Sequence, residues 1–217
     1  MKNFPNTSLY LSGGIRGASP VPPSKLYILR DINSSVTQQQ GNVQLVAAMA
    51  TIANCSNFAV TPDNQNVICS IFQQMGWTDP GLIQLQPIAG GTTRTIYRGP
   101  AGSTMTTRAA SSSALIFILS QANQADTLWK INTDGSGLTQ LASTGSTNSS
   151  FQFANASDLP WSMLSPDSTF YAIGENDRSN GTQTLFINRF SQGSNGASRG
   201  ITLPGNELEL VGWAQYA

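Results

Sequence analysis

The sequence predicts an all-β fold: four units, each a meander of four antiparallel strands, set side by side around an axis. Three observations lead there. A turn followed by an apolar run occurs four times, opening at Phe4, Thr61, Ser111 and Ser165. That is a period of roughly 54 residues, a repeat length typical of stacked or radial arrays. Behind each turn a second short run recurs, at Leu26–Arg30, Ile83–Pro87, Leu128–Asn132 and Leu185–Arg189. Gly and Pro punctuate the chain at strand-like spacing, and the runs between them are too short for helices. A single unit of this size cannot bury its own apolar faces. Radial stacking buries them between neighbours and leaves only short edges, which is the design of a small β-propeller.

The elements follow in chain order. The first unit holds the turn Phe4-Pro5-Asn6-Thr7 leading into Leu9 and Tyr10, then Leu26–Arg30 and Val43–Val46, with only Met1 to Asn3 before it. Its missing strand is expected at the far end of the chain, where Leu210–Ala217 has strand character and would close the ring. The second unit reads Asn57–Val60, the turn Thr61-Pro62-Asp63, a run from Val67, Ile83–Pro87 and Thr93–Tyr97. The third reads Thr106–Ala110, Ser111-Ser112-Ser113, a run from Ala114, Leu128–Asn132 and Thr139–Ala142. The fourth reads Trp161–Leu164, Ser165-Pro166-Asp167, a run from Phe170, Leu185–Arg189 and Gly200–Leu203. One domain, 1–217, therefore divides into blades of approximately 1–47 with 208–217, 55–99, 104–144 and 158–205. Ala47–Ala53 is expected to make one helical turn between the first two. In the turns, Pro presets φ and the Asp carboxylate bonds nearby backbone amides, which makes Asp63 and Asp167 structural.

Composition excludes several function classes. Charged residues are only 10% of the chain and the net charge is zero. No long-range field then draws phosphate backbones or anionic lipid, so neither nucleic acid nor a membrane surface is an expected partner. No apolar run reaches the length of a bilayer-spanning helix. Met1 to Pro5 lack the apolar core of a signal peptide. Only three Lys are present, Asn, Gln, Ser and Thr dominate the polar positions, and Asn-x-Ser/Thr acceptor sites occur at Asn6, Asn33, Asn54, Asn148, Asn155 and Asn180. These features favour a mature chain outside the cytoplasm: periplasmic, on the cell surface or secreted.

Trp161 to Ile173 together with Thr184-Leu185-Phe186-Ile187-Asn188 resembles the repeat of TolB-like, WD40-like β-propellers. Leu128 to Leu141, with its Asp134-Gly135 turn, is similar to the second half of that repeat, and Thr61-Pro62-Asp63 to its turn. The resemblance implies propeller architecture and a bias toward protein–protein contacts. It implies no catalytic residues, because the motif positions of the repeat are structural.

The chemistry-bearing residues point the same way. The chain has no histidine, which excludes His-ligated metals and His general bases. Gly196-Ala197-Ser198-Arg199-Gly200 has the letters of a nucleophile elbow but no base to serve it. Thr133-Asp134-Gly135-Ser136-Gly137 lacks the ligand alternation of a calcium loop and reads as a hairpin turn. Glu207 and Glu209 would share one strand face, whereas paired glycosidase acids flank a sugar from opposite sides. Trp129, Trp161 and Trp213 fall at repeat strand positions and read as packing residues. Trp77, beside Asp79 in a turn, could be a contact anchor or a sugar platform. Glu175, Asp177 and Arg178 form the densest charge cluster, suited to a partner or a cation. With Thr61 opposite Gln65, Cys55 lies diagonal to Cys69, and a disulfide and two free thiols both fit.

The expected function is a non-catalytic binding or scaffold module that needs no cofactor or metal. Its binding residues would be Trp77, Asp79, Glu175, Asp177 and Arg178, and its partner another protein or the subunits of a larger assembly. A carbohydrate-binding propeller using Trp77 is the alternative, and a sialidase- or glycosidase-like enzyme ranks third.

Overall fold

The structure, a computed structural model, describes residues 9–13, 24–29, 50–52, 55, 57–61, 63, 65–71, 80–111, 113–152, 163–165, 167–191 and 199–204. Within them, antiparallel meanders form four sheets. The first holds β1 (Leu9–Gly13), β2 (Ser24–Leu29) and β3 (Ala50–Ile52). The second holds β4 (Asn57–Val60), β5 (Asn66–Ile71), β6 (Pro80–Pro87) and β7 (Arg94–Ala101). The third holds β8 (Thr104–Ala110), β9 (Ala114–Ser120), β10 (Thr127–Asn132) and β11 (Thr139–Ser143). The fourth holds β12 (Ser149–Gln152), β13 (Phe170–Asp177), β14 (Thr182–Arg189) and β15 (Arg199–Pro204). In the last three sheets the strands lie in sequence order, each beside the one before it.

Alternation along the second strand of each unit decides how the sheets stack. Along β9, Leu115, Phe117 and Leu119 point one way, into a cluster with Ile68, Ile83 and Ile96 of the second sheet and Met105 and Ile131 of the third. Ala114, Ile116 and Ile118 point the other way, against Phe151, Met163, Leu164, Tyr171, Ile173 and Phe190 around the fourth sheet. A strand buried on both faces reads as an unbroken apolar run, as Ala-Leu-Ile-Phe-Ile-Leu does here. The second sheet repeats the rule on its outer face, where Val67 and Cys69 pack with Ile88, Phe58 and Ile71. Each large aliphatic side chain so buried contributes about 1.5–3 kcal/mol. Stacking of this kind, face on face with a shared middle sheet, is the packing of propeller blades.

Polar groups complete the stack. Ser70 Oγ and Thr107 Oγ1 lie 2.5 Å apart in the buried seam between the second and third sheets, and Thr107 N donates to Ser70 Oγ at 3.1 Å. Two cations bridge neighbouring sheets at equivalent carbonyls. Arg94 Nη2 donates to Thr133 O at 2.6 Å, and Lys130 Nζ donates to Phe190 O at 3.2 Å while sitting over the Phe190 ring. The repeat shows again where the third strand meets the turn before the second: Ile88 N donates to Gln65 O, Thr133 N to Ser113 O and Phe190 N to Thr169 O, each at 2.8 Å.

The turns share a hydroxyl rather than a Pro-Asp pair. Thr61 Oγ1 accepts from Asn66 N at 3.0 Å, Ser165 Oγ from Phe170 N at 2.9 Å and Ser111 Oγ from Ala114 N at 3.0 Å. Asp63 and Asp167 tighten the longer turns, accepting from Gln65 N and Thr169 N at 3.0 Å each. The Ser111 turn lacks the carboxylate and is two residues shorter. Its hydroxyl instead donates to Ala114 O at 3.2 Å. Thr133–Gly137 is a hairpin turn: Asp134 Oδ1 accepts from Ser136 N at 2.8 Å, and Gly135 and Gly137 take positive φ.

Three expectations require correction. Ala50–Ile52 is a strand, not part of a helical turn, because pairing with Ser24–Leu26 of β2 decides the state of this short segment, and its Thr51 and Ile52 suit a strand. The first strand of the fourth sheet is Ser149–Gln152, paired with the far half of β13, in a stretch expected to be loop. Of the segment expected there, Trp161–Leu164, the described residues Met163 and Leu164 meet the near half of β13 through a bridge, Leu164 to Tyr171, and through Ala172 N, which donates to Met163 O at 2.9 Å. The β4–β5 register is one residue from that expected: Val60 faces Val67 and Phe58 faces Cys69, because Thr61 N bonds Asn66 O rather than its neighbour.

Cys55 and Cys69 form a disulfide with Cα atoms 5.4 Å apart. Trp129 packs against the second–third cluster and donates from Nε1 to Thr127 Oγ1 at 2.8 Å. β1–β3 form a three-stranded meander; the turn expected at Phe4–Thr7 and the strand expected at Val43–Val46 lie outside the described residues. The segment 208–217 expected to complete that unit lies outside the described residues, as do Trp161, Trp213, Glu207 and Glu209.

Candidate functional site

The two ends of the stacked sheets differ in how they use their polar groups. At one end lie the hydroxyl turns just described and the hairpin turn at Asp134, whose side chains bond their own backbone. At the other end, three connections converge: 121–126 between β9 and β10, 144–148 between β11 and β12, and 178–181 between β13 and β14. They enclose a groove of about 680 Å³ between the third and fourth sheets.

Main-chain bonds build the groove. Asn123 adopts φ 60, a left-handed conformation that Asn tolerates better than most residues, and Gln124 N donates to Gln121 O at 3.2 Å. Asp126 ties the first connection to the second and to β12. Its carbonyl accepts from Thr144 N at 2.9 Å, and its Oδ2 accepts from Phe151 N at 3.2 Å. Arg178 N donates to Asn148 O at 3.4 Å, which joins the third connection to the second.

The charge cluster read from the sequence lies at this end, and its members take different roles. Glu175 Oε1 accepts from Gly145 N at 2.8 Å, so this carboxylate holds a connection in place. Asp177 is the acceptor of a tight turn: Oδ1 takes bonds from Ser179 Oγ and Ser179 N, and Oδ2 one from Asn180 Nδ2 at 2.7 Å. The Ser179 hydroxyl, then its amide, hold the Asp177 carboxyl below the ordinary carboxylate range. Arg178 is exposed on the groove wall, and its guanidinium makes no bond to any described residue. Both carboxylates are therefore spent on holding turns and connections, and the cation is not.

Trp77 and Asp79 lie outside the described residues, in the segment joining β5 to β6. Gln121, Asn123, Gln124, Asp126 and Ser150 line the groove and were not singled out by sequence. The one signal that could have found them is position in the repeat, since 121–126 joins the same pair of strands in its unit as the Trp77 segment does. Among the described residues, no three His, Cys, Asp or Glu side chains gather to hold a metal.

No protein-family model matches the sequence, and no curated protein matches it. Solved structures do resemble the fold. TolB from Acinetobacter baumannii aligns at TM-score 0.55 and 13% identity over 88% of this chain and 40% of that one. Prolyl oligopeptidase B from Galerina marginata aligns at 0.54 and 11% over 91% of this chain and 27% of that one. An oligogalacturonate lyase in complex with manganese aligns at 0.52 and 11% over 83% of this chain and 48% of that one. The chain spans less than half the length of each. At such identities the likeness is one of fold: antiparallel blades similar to those of β-propeller proteins.

Proposed function

We propose that the chain is a non-catalytic β-propeller module of the TolB-like kind, which binds another protein or the subunits of a larger assembly through the rim formed by 121–126, 144–148 and 178–181. In this reading the ring has four blades and the segment 208–217 supplies the innermost strand of the first. The module works outside the cytoplasm, in keeping with its few lysines and uncharged polar surface.

The observation that carries the reading is the contrast between the two rims. The turns opening at Thr61, Ser111, Asp134 and Ser165 satisfy themselves, whereas the opposite rim offers a groove whose side-chain amides and guanidinium await partners. Loops carried by a rigid scaffold are where binding residues concentrate. The absence of histidine from the sequence, and the backbone bonds that tie down Asp126, Glu175 and Asp177, support binding over acid–base chemistry.

Photocrosslinking tests this. A benzoylphenylalanine introduced at Gln124, on the groove rim, is expected to capture a partner in the producing cells. The same residue introduced at Ser113, on the opposite rim, is expected to capture none. Equal capture at both positions, capture confined to Ser113, or none at either would refute the proposal.

A further inference from the structure

The groove lining has an unusual chemistry for a contact surface. Among the described residues of the lining the largest apolar side chain is Ala122; the others carry hydroxyls, side-chain amides, the Asp126 carboxylate and the Arg178 guanidinium. The aromatic and aliphatic anchors that carry most of the energy of a protein contact are not among these described lining residues, so the groove meets a polar part of whatever the rim binds. Anionic ligands face an unfavourable field, because Asp126 stands in the wall with Glu175 and Asp177 close by, against the single guanidinium of Arg178. A cation finds one carboxylate, already half committed to Phe151 N, with Arg178 opposing it.

We propose that this groove binds an uncharged oligosaccharide. The inference rests on the groove rim being the contact face and adds the class of ligand that this face takes. A sugar hydroxyl both donates and accepts, and so do the side-chain amides and hydroxyls of Gln121, Asn123, Gln124 and Asn148 with Ser120 and Thr147. A planar side-chain amide, with donor and acceptor side by side, can engage two neighbouring hydroxyls. Asp126 is the fixed point. Its Oδ2 and carbonyl are anchored to Phe151 N and Thr144 N, so Oδ1 is presented without a partner among the described residues. Arg178 supplies donors for ring and bridging oxygens, which accept but cannot donate. About 680 Å³ falls within the usual volume of small-ligand sites.

The test is an array of neutral and acidic oligosaccharides probed with the whole chain, followed by titration of the strongest neutral binder. Binding is expected for neutral glycans. Asp126→Asn, which keeps an acceptor for Phe151 N, and Arg178→Ala, at an exposed position, are each expected to weaken it about tenfold, one charged hydrogen bond's worth. Both variants should melt with the parent. Binding to acidic glycans alone, binding that survives both groove substitutions, or no binding to any glycan would each overturn the inference. A glycoprotein bound before enzymatic deglycosylation and released after it would identify an attached chain as the source. Retention of the free oligosaccharide alone would identify a soluble one. Partner capture at Gln124 that persists without sugar binding would overturn this inference and leave the contact rim standing.

Discussion

The buried Ser70–Thr107 contact gives the sharpest test of how the blades hold together. Ser70 is 0% exposed and Thr107 2% exposed, in the seam where β5 of the second sheet meets β8 of the third. Ser70→Ala orphans two groups at once, Thr107 N and Thr107 Oγ1, whose only described partner is Ser70 Oγ. A buried polar group left without a partner costs about 1–3 kcal/mol, so the substitution should cost about 3 kcal/mol. Thr107→Val removes one hydroxyl and leaves Ser70 Oγ accepting from the amide, which should cost about 1 kcal/mol. The double variant orphans the amide alone and should cost about 2 kcal/mol, less than Ser70→Ala by itself. The coupling is therefore about 2 kcal/mol, a non-additivity expected only of residues in contact. Urea unfolding with a common slope would read it, the midpoints ordering as parent, Thr107→Val, double variant, Ser70→Ala. A double variant that costs the sum of the singles, or a Ser70→Ala that unfolds with the parent, would show that the second and third sheets do not share this seam.

Three further outcomes follow from the same geometry. Gly81→Ala would place a Cβ 2.9 Å from Ser103 O and 3.0 Å from Met105 Cε, so it should destabilise by about 1–3 kcal/mol and lower the melting temperature, as scanning calorimetry would show. Reduction of Cys55–Cys69, whose residues are 14 apart in sequence, should remove about 3 kcal/mol and lower the melting temperature by roughly 6–12 °C, measured with and without reductant. Asp63, Asp134, Asp167 and Asp177 are all held below the ordinary carboxylate range, chiefly by side-chain hydroxyls of their own turns: Thr61, Ser136, Ser165 and Ser179. Because folding lowers these values, their stabilisation is complete above the unfolded pKa of about 3.9 and is lost as pH falls through the folded values. The melting temperature should hold from pH 7 to 5 and fall below about pH 4. Asp167→Asn should melt below the parent at pH 7, and the gap should narrow as the pH falls below the unfolded carboxylate pKa.

Much of the fold was legible because a blade must repeat itself. Turn, apolar run and second strand recur at one period, and the runs at Val67, Ala114 and Phe170 became β5, β9 and β13. What failed were segments whose strand state depends on a neighbour rather than on their own residues. Ser149-Ser150-Phe151-Gln152 carries a single apolar side chain, and it is a strand only because the far half of β13 offers it an edge. Ala50–Ile52 likewise takes its state from β2. The one-residue register change at β4–β5 has a similar origin: the Thr61 side chain and amide both reach Asn66, a preference that residue spacing does not reveal.

The groove was less legible than the fold, for a reason built into the architecture. Strand faces must be apolar to bury against the next sheet, and the turns opening at Thr61, Ser111 and Ser165 must satisfy buried amides, so both leave repeating marks. The opposite rim carries no such duty beyond closing its connections, so its residues can vary without disturbing the stack. Density of charge drew notice to Glu175, Asp177 and Arg178, yet two of the three turn out to hold the backbone. The polar groups left uncommitted belong to Gln121, Asn123 and Gln124 of one connection and Arg178 of another, and they share no motif. Recognition on such a rim is a property of juxtaposition. Two neighbouring sheets bring together residues more than fifty positions apart, and only the packing of β9 against the fourth sheet makes them one surface.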